Sequence, residues 1–244
     1  MILVLSGEGP TDLGACNNAQ GRCSDKDFTV GPLALLIKQM LEARTGDELN
    51  FSGRCLYVGE TALSKKAKEL PYRLLPARSK KKQAEMGYFY TNALALGVLA
   101  SEVAAEAQDD VVAVLFRDCD GTRSAKAELW DVKCRSIEDG FRYSKFSYGV
   151  PMLPRPTSEA WLIAAAQPQP YQNCQRLEEL PGNEASPNHP KKKLDAIFGH
   201  HKSAHGLCDW LEAQPFDADR ASAMPSFRAF RERLNEVLDQ VAVV

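Results

Sequence analysis

Six consecutive apolar residues, VVAVLF at 111–116, end at Arg117, Asp118, Cys119, Asp120, Gly121 and Thr122. A run this short with no polar alternation is a strand covered on both faces, the central strand of a parallel sheet. Parallel neighbours need crossover connections, which points to an α/β fold. A second run, ILVL at 2–5, stops at Ser6-Gly7 and reads as another buried strand. RCLYV at 54–58 and FSYGVPML at 146–153 are weaker strand candidates. Between them the periodicity is helical: PLALLIKQMLEA at 32–43 with Pro32 at its start, the Ala- and Leu-rich stretch 80–107, then 123–137. TSEAWLIAAA at 157–166 is a further helix with Thr157 as its N-cap, and 225–241 is a last one.

In such sheets the chemistry gathers at the carboxyl ends of the strands. Two acidic clusters fall there, Glu8 with Asp12 in SGEGPTD, and Asp118 with Asp120. The stretch 167–189, rich in Pro, Gln and Asn, reads as a long loop or linker, and 190–244 as a helical C-terminal region.

At 244 residues the chain is long for one domain and short for two. Formal net charge is −2, so no global basic field marks a nucleic-acid binder and any basic surface is local. Met1 runs straight into ILVLS with no basic n-region, and no apolar run approaches the ~18 residues of a membrane span. Neither a secretory leader nor a membrane partner is expected. Seven cysteines without a C-x-x-C pair suit reduced thiols in the cytoplasm. The spacing of Cys16 and Cys23 relative to His189, His200, His201 and His205 matches no zinc pattern.

Two families use Asp-x-Asp after a buried strand. VLFRDCDGT resembles the signature of haloacid-dehalogenase-type phosphatases, which implies Asp118 as nucleophile and Asp120 as acid/base. That fold opens with this strand, however, and needs a downstream lysine and a later acidic pair. The late pair in FDADR, 216–220, follows no convincing strand. The order of Glu8 after one strand and Asp118-x-Asp120 after a later one resembles the TOPRIM superfamily instead. EGPTD is similar to the E-G-x-x-E form of its nuclease branch, with Asp12 at the second acidic place. PRPTSEAWLIA resembles a segment of small TOPRIM-like proteins of prokaryotic defence loci and supplies Glu159.

That resemblance implies a Rossmann-like, mainly parallel sheet flanked by helices, with a catalytic domain over 1–166. The wide gap between Glu8 and Asp118 then requires an insertion at about 14–105, expected to be helical. It implies a metal-dependent nuclease acting on nucleic acid, with DNA preferred over RNA, and an ATPase partner that controls it. Glu8, Asp12, Asp118, Asp120 and Glu159 would hold Mg²⁺ or Mn²⁺, with Glu8 as ligand or general base. Lys202 would reach the site as a charge stabiliser. A non-catalytic TOPRIM module acting as a regulatory subunit is the third reading, and the intact Glu8, Asp118 and Asp120 count against it.

The chemistry agrees with a cation. Several carboxylates at one sheet edge repel one another unless neutralised, and oxygen-only donors suit Mg²⁺ or Mn²⁺ over zinc. Acidic residues after strands also serve simply as caps. Two basic runs are candidate phosphate contacts: Arg78 with Lys80, Lys81 and Lys82, and Lys191, Lys192 and Lys193 after Pro190. Both open a helix, an unfavourable place for lysine by ~0.3–1 kcal/mol per charge and a favourable one for phosphate. Tyr88, Phe89 and Tyr90 are candidates for base stacking or for the core, Trp161 for the core, and His200 and His201 for complementing a helix C-terminus.

Overall fold

The computed structural model describes residues 1–18, 20–49, 51–70, 80–119 and 127–241, and at 25, 80–86 and 127–128 the backbone alone. The fold is α/β. Strand β1 (Ile2–Ser6) leads to a small antiparallel ribbon of β2 (Gly14–Cys16) and β4 (Phe28–Val30), with β3 (Arg22–Ser24) between them in sequence. Helix α1 (Pro32–Thr45), β5 (Cys55–Val58), α2 (Glu60–Glu69) and α3 (Lys80–Ala107) follow. Then come β6 (Val111–Phe116), α4 (Ala127–Tyr143), β7 (Gly149–Met152) and α5 (Ser158–Ala166). The C-terminal part is helical: α6 (Cys174–Leu177), α7 (Pro190–Phe198), α8 (Ala204–Ala213), α9 (Ala218–Ala221) and α10 (Pro225–Val241).

The main sheet runs β3-β5-β1-β6-β7, with β5, β1, β6 and β7 parallel and β3 antiparallel at one edge. Residues 14–105, expected to be a helical insertion, thus supply β5, a direct neighbour of β1. Alternate residues of the central strands face two apolar layers. Leu3, Leu5, Val112, Val114 and Phe116 pack with α1, α5, α8 and α10, whereas Val4, Val111, Ala113 and Leu115 pack with α3 and α4. The continuous hydrophobicity of 111–116 follows from this double coverage. Edge strand β7 is closed by α10, whose Arg233 donates to the carbonyls of Ser147 (2.6 Å) and Gly149 (3.1 Å).

Three local expectations are corrected. Cys16 and Cys23 are not reduced thiols. They form a disulfide with Cα atoms 5.6 Å apart, because β2 and β3 bring them side by side. The helix expected over 123–137 is described from Ala127 and runs to Tyr143. The loop 167–189 contains α6 and is stitched to the core rather than hanging free. Its Glu178, only 2% exposed, accepts from Ser226 N (2.7 Å) and Ser226 Oγ (2.6 Å).

Those bonds anchor α5. Trp161 is fully buried, stacks near Phe230 and meets Phe227 edge-on, and its Nε1 donates to Ser226 Oγ at 2.9 Å. Trp161, Ser226 and Glu178 therefore form one buried polar chain fixing α5 against the first turn of α10. Ser226→Ala removes the acceptor of Trp161 and one donor to Glu178. It should lower stability by about 1–3 kcal/mol in urea unfolding, with the fold retained.

Candidate acidic site at the carboxyl edge of the sheet

Strands β1 and β6 pair in parallel with Ser6 opposite Leu115. Glu8 and Arg117 each lie two residues beyond that pair, so Glu8 and Asp118 emerge at the same sheet edge from adjacent strands. Between Glu8 and Asp12 the chain makes turns rather than a helix, so these two carboxylates do not share a helix face. Asp12 is placed by its backbone: its carbonyl accepts from Leu33 N at 3.0 Å, at the start of α1. A side chain at Gly31 would bring Cβ within 2.4 Å of that carbonyl, so the approach requires glycine there.

Ser158, the first residue of α5, joins the two acidic loops. Its N–H donates to Asp118 Oδ1 at 2.9 Å, and its Oγ donates to Asp12 Oδ1 at 2.6 Å. Thr157 occupies the N-cap but does not cap with its side chain. Its hydroxyl donates instead to Glu159 Oε2 at 2.6 Å, orienting that carboxylate, and Asp118 takes the helix N–H. Asp12, Asp118 and Glu159 are thus gathered around one helix start. Burial raises the Asp12 carboxyl above its ordinary value. The Ser158 bond opposes this, the charge of Glu159 adds to it, and Thr11 and Lys191 oppose it.

A cavity of about 260 Å³ opens beside Asp12, Ser158 and Glu159. Lys191 and Lys202 line it, so two of the expected basic residues do reach the acidic site. The Lys202 ammonium sits 4.9 Å from the Phe198 ring centre. The Lys191–193 triplet divides by helical spacing. Lys192 turns away to the Ser186 carbonyl at 3.0 Å, and Lys193 does not line the cavity. His189 caps α7 by accepting from Lys191 N, and His201 lies 3.1 Å from Asp195. Asp120 and Arg78 lie outside the described residues, as do the side chains of Lys80, Lys81 and Lys82. Among the aromatics, Phe89 is buried, Tyr88 donates to Glu60 at 2.9 Å, and Tyr90 packs near Tyr143. Asp217 and Asp219 lie at and on α9 rather than after a strand.

Three residues with no functional signal in the sequence surround the site. Ser158 is the junction just described. Arg117 is fully buried. Its Nε lies 3.7 Å from Glu8 Oε1, its guanidinium lies 5.6 Å from the Tyr88 ring centre, and Nη1 donates to the Phe116 carbonyl. Lys133, 2% exposed, donates to the Cys119 carbonyl at 3.0 Å.

Among the described residues no three His, Cys, Asp or Glu side chains stand close enough together to hold a metal ion. The donor chemistry still fits a hard divalent cation. Asp12 and Glu159 are neighbouring carboxylates, and desolvation makes the charged form of Asp12 costly without one. Comparison of the chain with protein-family models, curated proteins and solved structures yields no match.

Because burial makes the folded-state Asp12 carboxyl titrate above its ordinary value of about 3.8, the native protein holds that proton more tightly than the unfolded chain. Its contribution to stability therefore falls as pH rises from about 3.8 through the raised value. Asp12→Asn keeps an acceptor for Ser158 and should erase this decline. The variant should match or exceed the native protein in stability at pH 7 without metal, and lose that advantage near pH 3, measured by thermal melts across pH.

Proposed function

We propose that the chain is a metal-dependent nuclease of TOPRIM type that hydrolyses phosphodiester bonds at the carboxyl edge of its sheet. The observation that carries this reading is the double hydrogen bond of Ser158, which draws Asp12 and Asp118 from separate loops to the helix turn bearing Glu159. A helix start that only needed a cap would use one carboxylate; this one collects two and places a third beside them.

Glu8, Asp12, Asp118 and Glu159, with Asp120, are the residues that would hold Mg²⁺ or Mn²⁺. When bound, the metal supplies activation of the attacking water and charge neutralisation at phosphorus. Glu8, exposed beside the Arg117 guanidinium, is the residue that would accept the proton of that water. Thr157 orients Glu159, and Ser158 orients Asp118 and Asp12. Lys191 and Lys202 bring positive charge to the same cavity for the phosphate backbone.

The substrate class proposed is nucleic acid, DNA before RNA, and the partner proposed is an ATPase that gates the activity, as in the defence systems whose proteins the motifs resemble. Among the described residues no helix is long and apolar enough to cross a membrane. The cytoplasm is the proposed compartment. Cys134, Cys174 and Cys208, which remain thiols, support that placement, and the Cys16–Cys23 bond is the exception to it.

One observation favours the phosphatase as a second reading. Lys133 places a buried ammonium against the Cys119 carbonyl, beside the residue that would be its nucleophile, Asp118. Acid-quench trapping with a phosphomonoester separates the two. A phosphoryl-aspartate at Asp118 would overturn the nuclease reading.

The expected result is cleavage of DNA that requires Mg²⁺ or Mn²⁺ and falls on the order of a hundredfold or more in Glu8→Gln and Asp118→Asn. Glu159→Gln should lose cleavage at limiting Mg²⁺ while the metal-free protein stays as stable. Full cleavage by that variant would remove Glu159 from the site.

The lysines give a separate test. Lys191→Ala should flatten the slope of log K against log[salt] for DNA binding by about 0.7–0.9, whereas Lys192→Ala should leave it unchanged.

A further inference from the structure

The cavity beside the acidic site has two kinds of wall. Asp12, Glu159, Lys191 and Lys202 contribute charge to the lining, and much of the rest is apolar: Leu33, Leu162, Leu194, Phe198 and Leu207. Residues from the first turns of α1 (Pro32, Leu33), α5 (Ser158, Glu159) and α7 (Lys191) contribute to this one cavity, joined by the N-cap and first residue of α8 (Ser203, Ala204). Four helix starts around one space add positive potential to that of the two lysines. A purely structural gap between helices would be closed by its leucines. This one keeps about 260 Å³ open with charged groups at its side.

The ligand that matches such a space carries an anion joined to a compact apolar ring. We infer that the cavity receives a single unstacked nucleotide of the nucleic-acid substrate. Its base lies against the leucines and Phe198, and its phosphate lies between the lysines and the carboxylates. The inference rests on the nuclease reading and narrows its substrate class. The strand must present a base out of the stack, as a single strand, an end or a flipped nucleotide, since a paired and stacked base cannot enter.

At about 260 Å³ the cavity is small, below the usual ~300–1,000 Å³ of small-molecule sites, and suits one base rather than a larger ligand. The Phe198 ring packs T-shaped with Trp210, 5.3 Å away between centres. Asp195 and His201, 3.1 Å apart, also line the cavity and offer hydrogen-bonding groups to a base edge. These contacts are generic enough to serve any base, so the cavity selects for an unstacked nucleotide rather than for a sequence.

The test uses the full-length protein with Mg²⁺ and calorimetric titration of thymidine 5′-monophosphate, deoxyribose 5-phosphate, inorganic phosphate and hexyl phosphate. The monophosphate should bind about tenfold or more tightly than the base-free sugar phosphate. Leu207→Trp, which fills the apolar end, should abolish that difference and leave inorganic phosphate binding unchanged. Equal binding of nucleotide and sugar phosphate by the native protein would overturn the inference without recourse to any variant, and so would hexyl phosphate binding best.

Cleavage assays keep the two proposals apart. Metal-dependent cleavage that treats intact duplex and single strand alike would sink the nucleotide cavity and leave the nuclease standing. Base-dependent binding without any metal-dependent cleavage would sink the nuclease reading and keep the cavity as a nucleotide site. Preference for single strand over duplex, lost in Leu207→Trp, would support both.

Discussion

The start of α5 is the point on which the site depends. One serine, Ser158, uses its backbone N–H for Asp118 and its hydroxyl for Asp12, and these acids belong to loops after different strands. A helix start is where a carboxylate is most easily held, because unpaired N–H groups and the dipole both favour negative charge. Without it, Asp12 would keep its lost hydration and the charge of Glu159 with little to offset either. The helix itself is held in register by the buried chain from Trp161 through Ser226 to Glu178, so the acidic edge is tied to the far C-terminal helix. Position at the site is therefore a property of the whole fold, not of the loops that carry the acids.

The same arrangement sets a tension between stability and function. Burial makes the charged form of Asp12 unfavourable, and Glu159 adds to that. The lysines lean the other way, with Lys191 acting on Asp12 directly. A protein selected for stability alone would place an asparagine at 12. The acid is held there at a cost, on a loop whose backbone approach also needs a glycine at 31.

How much of this was legible in the sequence differs by scale. The apolar runs at 2–5 and 111–116 announced central strands because coverage on both faces leaves no polar position to blur them. Pro32 and Pro190 marked helix starts because their fixed φ and missing N–H suit only that place. The ribbon of β2 and β4 had no such signal. Its strands are three residues each, too short for a period to register, and the Cys16–Cys23 contact between β2 and the equally short β3 was invisible for the same reason. Asp12, Asp118 and Glu159 could be named from residue type and order, but not the serine that joins them, since serine at a helix start is commonplace. The cavity was illegible altogether: four helix starts meet there from positions far apart in the chain, and only packing brings them together. The division of labour among Lys191, Lys192 and Lys193 likewise needed the helix phase to be known in space.

Arg117 extends the argument from placement to charge. It sits between a fully apolar strand and Asp118, is completely buried, and its Nε and Nη2 make no hydrogen bond among the described residues. Burying a guanidinium this way is costly. Its compensation comes from Glu8 at 3.7 Å, from the Tyr88 face, and from the Phe116 carbonyl, none of which is a bidentate partner. A fixed cation beside Glu8 stabilises that carboxylate at all times. A bound divalent ion would do so only when present. The acidic edge is thus balanced from two sides, by Arg117 from within the fold and by Lys191 and Lys202 from the cavity. That balance lets a cluster of acids persist at a sheet edge.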